Sequence, residues 1–147
     1  EIVRRLLAGE RVTFEGRYLD LPSLLGIVRA ADVVLLPYDS RDQVTSGVLT
    51  EAVVAGKPVV STRFPHAVEL LSSGAGLLVP QRDPAAISAA LRRLLTEPGL
   101  AENMGAEARL LAPGLLWSAV AGEYIEAGDR LMTTNAALQS VGRLFVA

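Results

Sequence analysis

The chain has 147 residues, half of them hydrophobic, and a mean hydropathy of +0.36. That is enough for one domain with a sizeable core, and apolar enough that either its strands are covered on both faces or some surface awaits a partner. Lack of cysteine excludes a disulfide framework and a thiolate site, a single histidine without clustered carboxylates argues against a structural metal, and 14 scattered basic residues at net charge −2 form no stripe suited to nucleic acid.

In chain order, EIVRRLLAG places Ile2, Val3, Leu6 and Leu7 at helical spacing before Gly9. This helix is already running at Glu1 and no signal-peptide pattern precedes it, so an N-terminally truncated chain is expected. RVTFEG alternates Val12 and Phe14 ahead of Gly16 and predicts a strand. DLPSLLGIVRAAD follows as a helix, with Pro22 in its first turn and Leu24, Leu25, Val28 and Ala31 on one stripe. DVVLLP is a short apolar run stopped by Pro37, as expected of a strand buried on both faces. The polar stretch YDSRDQVTSG leads into the helix VLTEAVVA, closed by Gly56. KPVVST predicts another buried strand, followed by the loop RFPHA, a helical turn VELLSS and the turn GAG. LLVP makes a fourth strand, and Asp83-Pro84 caps a helix with Ile87, Ala90, Leu91, Leu94 and Leu95 on one face.

Beyond Pro98 the pattern is helical, with Trp117 and Tyr124 on one helical face and expected in the core. No run reaches the roughly 18 apolar residues of a membrane span, since Pro113-Gly114 divides even LLAPGLLWSAV. The tail TTNAALQSVGRLFVA keeps Leu138, Val141, Leu144 and Phe145 at helical spacing, an apolar end that calls for something to pack on. Strands alternating with helices argue an α/β fold, a Rossmann-like parallel sheet flanked by helices.

In such sheets ligands bind outside the carboxyl ends of the strands, where loops enter helix N-termini. YDSRDQVTSG is the longest loop in that place. Thr45, Ser46 and Gly47 offer hydroxyls and approachable backbone N–H groups at a helix start, which suits an anion such as a phosphate. Ser46 or Thr45 can equally be a plain N-cap, and the two roles are compatible. Glu51 stands too far from Ser46 to complete a capping box, and it lies among apolar residues on a helix that reads as buried nearly all round. A carboxylate there needs donors to offset its desolvation, unless it is a partly exposed residue in a favourable first turn. His66, in the loop after KPVVST, is either a surface residue or a phosphate or sugar contact; Lys57, ahead of its strand, is structural.

Phe14-Glu15-Gly16, the helix ending AAD before VVLLP, Glu51-Ala52, Gly56-Lys57-Pro58-Val59-Val60, Glu69, Gly76 to Val79, and Trp117 with Tyr124 carry a resemblance. From Val12 to about Leu131 the chain resembles the C-terminal nucleotide-sugar domain of a glycosyltransferase family 4 enzyme, one half of the two-domain GT-B arrangement. The resemblance implies a donor-binding domain over residues 1–131 and a helical tail over 132–147 that packs on an N-terminal domain. It implies transfer of a sugar from a nucleotide-diphosphate sugar to an acceptor, with retention, by the full-length protein and not by this portion alone. No cofactor or metal is implied beyond the donor substrate, and a cytoplasmic setting is, with room for peripheral association at the inner face of the membrane. A non-catalytic nucleotide-binding or interaction module, or a sugar-nucleotide epimerase of the same architecture, are the alternatives.

The family's hallmark is two Glu residues separated by seven others. Glu51 matches the second, which implies hydrogen bonds to the ribose hydroxyls. The first position holds Gln43, an uncharged donor and acceptor beside the transferred sugar, and Asp42 next to it is a candidate substitute. By the same resemblance, backbone N–H groups of Ser46, Gly47, Val48 and Leu49, after Thr45, meet the diphosphate, and His66 lies beside it. Arg17 and Tyr18, at the end of the strand RVTFEG, lie by the base, or else are an exposed arginine and a half-buried tyrosine.

Overall fold

The computed structural model describes residues 13–40 and 42–144, with side chains through residue 134, so the helix expected over residues 1–9 lies outside it. No strand forms at residues 13–16, where four strands had been expected to begin, and Phe14 is 61% exposed. An extended segment persists as a strand only with backbone partners, and the outer edge of the sheet is unpaired among the described residues. Local pairing takes over: the Arg17 N–H and Nε both donate to Glu15 Oε1 at 3.0 Å.

Helix α1 (Leu21–Ala30) starts where Asp20 accepts from the Ser23 N–H at 2.9 Å with Pro22 in the first turn, and it buries Val28. Next come β1 (Val34–Leu36), α2 (Gly47–Val54), β2 (Val59–Thr62), α3 (Pro65–Leu71) and β3 (Gly76–Val79). The three strands are parallel in the order β1-β2-β3, with Val34 opposite Val59 and Val59 opposite Gly76. Helix α3 begins at Pro65, inside the stretch expected to be loop, because proline's fixed φ suits a first turn.

Strand side chains alternate between faces, and β2 serves two cores. Val59 belongs to a cluster with Leu36, Leu49, Val53, Phe64 and Leu71, whereas Val60 packs with Val79, Ala90, Leu94 and Met104. Helices α1, α2 and α3 cover the first face; α4 (Pro84–Thr96) and α5 (Leu100–Leu111) cover the second, with Ala108 of α5 reaching round to the first core. Asp83 caps α4 through the Ala86 N–H at 2.9 Å, and Leu95, expected on its packed face, is exposed. Helix α5 abuts the end of α2 so closely that a Cβ on Gly105 would stand 2.8 Å from the Gly56 carbonyl oxygen.

A 3-10 turn (Ala112–Leu115) then leads to α6 (Trp117–Leu144), 28 residues in one unbroken helix. Trp117 and Tyr124, expected in the core, are 87% and 77% exposed. Their shared face is real, but only the start of α6 touches the domain, through half-buried residues such as Val120, and the helix then leaves it. Among the described residues no helix is long and apolar enough to cross a membrane.

Gly76 marks the tightest point of the sheet: a Cβ there would lie 2.5 Å from the Val59 carbonyl oxygen and 3.1 Å from both Leu71 methyls. Backbone in a ladder cannot retreat as a side chain can, so Gly76→Ala is expected to cost about 1–3 kcal/mol, as overpacking does. Chemical denaturation of the variant checks this, and an unchanged midpoint would contradict the packing described.

Candidate functional site

The carboxyl ends of the three strands feed the loops over residues 37–46, 63–64 and 80–83, and the first of these is held to the end of β2 and to the start of α2 by the hydroxyls of Thr62, Tyr38 and Ser46. Thr62 Oγ1 donates to the Tyr38 carbonyl at 2.7 Å, fixing where the chain leaves β1. The Tyr38 ring tilts against Phe64 with centroids 5.4 Å apart, and its hydroxyl lies 3.1 Å from Ser46 Oγ. Ser46 is the N-cap of α2: its Oγ accepts from the Leu49 N–H at 3.2 Å. His66 grips the same turn twice, its N–H donating to the Val44 carbonyl and its Nδ1 accepting from the Ser46 N–H, each at 3.2 Å.

These bonds redistribute the four N–H groups expected to meet an anion. Those of Ser46 and Leu49 are committed to protein acceptors. The N–H groups of Gly47 and Val48 open α2 and have no intrahelical partner. Space lies beside Gly47, where an added Cβ would meet nothing within 4 Å and which lines the cavity described next.

Helix α2 buries Leu49, Ala52 and Val53, but it is not buried all round. Gly47, Thr50, Glu51 and Val54 follow helical spacing along its other face, where they form one wall of a cavity of about 470 Å³; Leu115, Trp117 and Val120 belong to the wall opposite. Glu51 is half-buried there, which is the partly exposed alternative and not the fully buried one. Its carboxylate therefore sits in the same cavity as the helix start, beside an exposed indole.

The remaining expected residues fall elsewhere. Gln43 turns back on its own loop, its Nε2 donating to the Thr45 carbonyl, and Thr45 is exposed. Asp42 belongs to a second, polar cavity of about 410 Å³ shared with Asp39, Ser40, Gln81 and Arg82. There Arg82 Nε donates to both Asp39 carboxylate oxygens at 2.9 Å, and Gln81 Nε2 donates to the Ser40 carbonyl at 3.1 Å. Arg17 is taken up by Glu15, a pairing that holds the Glu15 carboxyl below its ordinary range chiefly through their side-chain hydrogen bond. Tyr18 is fully exposed, not half-buried, and the described part of the segment that was to present these two residues, 13–16, forms no strand. Among the described residues no three His, Asp or Glu side chains gather as a metal site.

Several residues that shape the site went unnoticed in the sequence. Tyr38 and Phe64 stand just past β1 and β2, and Gln81-Arg82 just past β3, so strand-end reasoning extended to every loop would have found them. Trp117 joins the cavity only because the 3-10 turn brings the start of α6 back toward α2, and no local signal announces that.

The family model for glycosyl transferases group 1 matches residues 1–97. The D-inositol 3-phosphate glycosyltransferase of Kineococcus radiotolerans is 36% identical over 118 residues, covering 74% of this chain and 27% of that protein. Its namesake from Kribbella flavida is 32% identical over 138 residues, 93% of this chain and 32% of the relative. Among solved structures, sucrose-phosphate synthase from Thermosynechococcus elongatus superposes with a TM-score of 0.73 at 28% identity, covering 90% of this chain and 33% of that one. The fold is thus that of a GT-B glycosyltransferase fragment, and the chain spans about a third or less of the proteins it matches.

Ser46 carries both the cap and the hydroxyl contact to Tyr38 while 5% exposed. Ser46→Ala is expected to lower stability by about 1–2 kcal/mol, measured by denaturant unfolding. A loss below a few tenths would mean that the cap does not hold α2.

Proposed function

The chain belongs to the group 1 glycosyl transferases, and on that premise we propose that it forms the donor-binding part of a retaining enzyme of the family 4 kind, transferring a sugar from a nucleotide-diphosphate donor. The observation that carries this reading is the placement of Glu51 in one cavity with the open start of α2. A carboxylate with solvent access can accept from two neighbouring hydroxyls, as a ribose presents. The Gly47 and Val48 N–H groups and the helix dipole favour a diphosphate. In the transition state, negative charge grows on the departing nucleotide, so the same dipoles would stabilise the leaving group more than the intact donor.

Gln43 would meet the transferred sugar through its amide, after releasing the Thr45 carbonyl that it holds here. No resident cofactor or metal enters this proposal. The N-terminal half and the acceptor complete the reaction in the full-length protein, where α6 would carry its exposed apolar residues toward that half. One observation favours a second reading, a nucleotide-binding module without catalysis: an uncharged side chain, folded onto its own loop, occupies the position where the family places a carboxylate.

Binding of ADP, GDP and UDP to the chain, followed by calorimetry, tests the donor reading. Glu51→Ala is expected to weaken the best of them by about ten- to a hundredfold, the size of a hydrogen bond to a charged group, and unchanged affinity would remove Glu51 from the ribose. Gly47→Ala provides a sharper separation, because the added methyl has no neighbour within 4 Å and would narrow the cavity that Gly47 lines. We expect stability to be retained and affinity to fall at least about tenfold, since one 1.4 kcal/mol step is a tenfold change. Donor turnover by the full-length protein, compared with Gln43→Ala and Gln43→Glu, then distinguishes the enzyme from the module. Turnover lost in Gln43→Ala supports the enzyme, and none in any version supports the module.

A further inference from the structure

His66 is placed by its sequence where it could touch a ligand, yet the structure uses its polar groups on the protein. Its N–H and its Nδ1 bracket residues 44–46, closing a pair of hydrogen bonds between the start of α3 and the turn ahead of α2. A ring nitrogen that accepts from an N–H carries no proton, so the neutral ring must hold its proton on Nε2. The Ser46 N–H has no local alternative: the Ser46 hydroxyl is already engaged by the Leu49 N–H and Tyr38, and the residue is 5% exposed. Losing Nδ1 would leave a buried donor without a partner.

We propose that His66 is a positioning residue for donor binding, acting as the Nε2–H tautomer whose Nδ1 locks the Val44–Ser46 turn and so leaves the Gly47 and Val48 N–H groups as the pair that meets the anion. This rests on the donor-binding reading above. The alternative is a direct contact from Nε2–H to the ligand, and side-chain geometry separates the two. The Asn carbonyl oxygen stands one bond from Cγ, as Nδ1 does, whereas the Gln carboxamide reaches one bond further, to the place of Nε2. His66→Asn therefore keeps the lock, and His66→Gln keeps only the reach toward a ligand.

Three measurements on the chain test this. It contains a single histidine, so the ring nitrogen-15 signals belong to His66 without ambiguity; they are expected to show Nε2 protonated and Nδ1 bare, and a proton on Nδ1 overturns the lock. Hydrogen exchange at the Ser46 amide is expected to accelerate about fivefold in His66→Ala and His66→Gln, as one hydrogen bond's net contribution suggests, and to stay within about twofold of the parent in His66→Asn. Equal exchange in all variants, or equal loss, overturns the lock. Affinity for inorganic pyrophosphate should follow the same order, Asn above Gln and Ala; the reverse order would assign His66 to direct contact. If pyrophosphate does not bind the parent chain, the donor reading fails, while the ring signals and the Ser46 exchange still decide what His66 does to the turn.

Discussion

Strand β2 has no surface. All four of its residues are buried, two of them carrying hydroxyls, and a buried hydroxyl must find an acceptor. Ser61 and Thr62 find theirs in carbonyls: Ser61 Oγ donates to its neighbour's at 3.0 Å, and Thr62 Oγ1 to the Tyr38 carbonyl at 2.7 Å. The second bond matters most, because it pins the point where the chain leaves β1. Tyr38 then reaches Phe64 and Ser46, Ser46 caps α2, and α2 carries Glu51. The candidate site is thus the far end of a chain of hydrogen bonds that starts in the middle of the core.

Much of this was legible from residue patterns. Continuous apolar runs at Val34 and Val59 announced strands, of which β2 is covered on both faces while β1, at the edge of the described sheet, leaves Leu35 38% exposed; Asp20-Leu21-Pro22 and Asp83-Pro84 announced helix starts, and the loop before Gly47 stood out by length and by its hydroxyls. What failed was whatever depends on distant partners. RVTFEG has the alternation of a strand, but pairing is a property of two segments, and residues 13–16 pair with no strand among the described residues. Trp117 has the composition of core, yet burial depends on what faces it, and the helix it begins runs off the domain. Glu51 was recognisable as out of place; which of its two readings holds, buried or partly exposed, depends on how far α6 stands from α2 and so had no local signal.

Two cavities, not one, open near the strand ends. The first is apolar with one carboxylate, and the second holds Asp39, Asp42, Gln81 and Arg82. Gln43 and Thr45 lie on the stretch of loop between Asp42 and α2, bonded to each other. Neighbours in sequence thus line two separate environments, Asp42 in one and Gly47 in the other. Residues eight apart in the sequence, Gln43 and Glu51, therefore need not address the same part of a ligand.

The close approach of Gly105 to the Gly56 carbonyl sets backbone against backbone at the end of α2. A Cβ on Gly56 would in turn lie 2.8 Å from the Arg109 side chain, so neither glycine at the crossing of α5 and α2 leaves room for a larger residue. The 3-10 turn and the first turn of α6 extend from α5 and form the jaw opposite Glu51. The walls of that jaw are therefore joined through one crossing of backbone on backbone and one short turn, in which Pro113 fixes a φ angle.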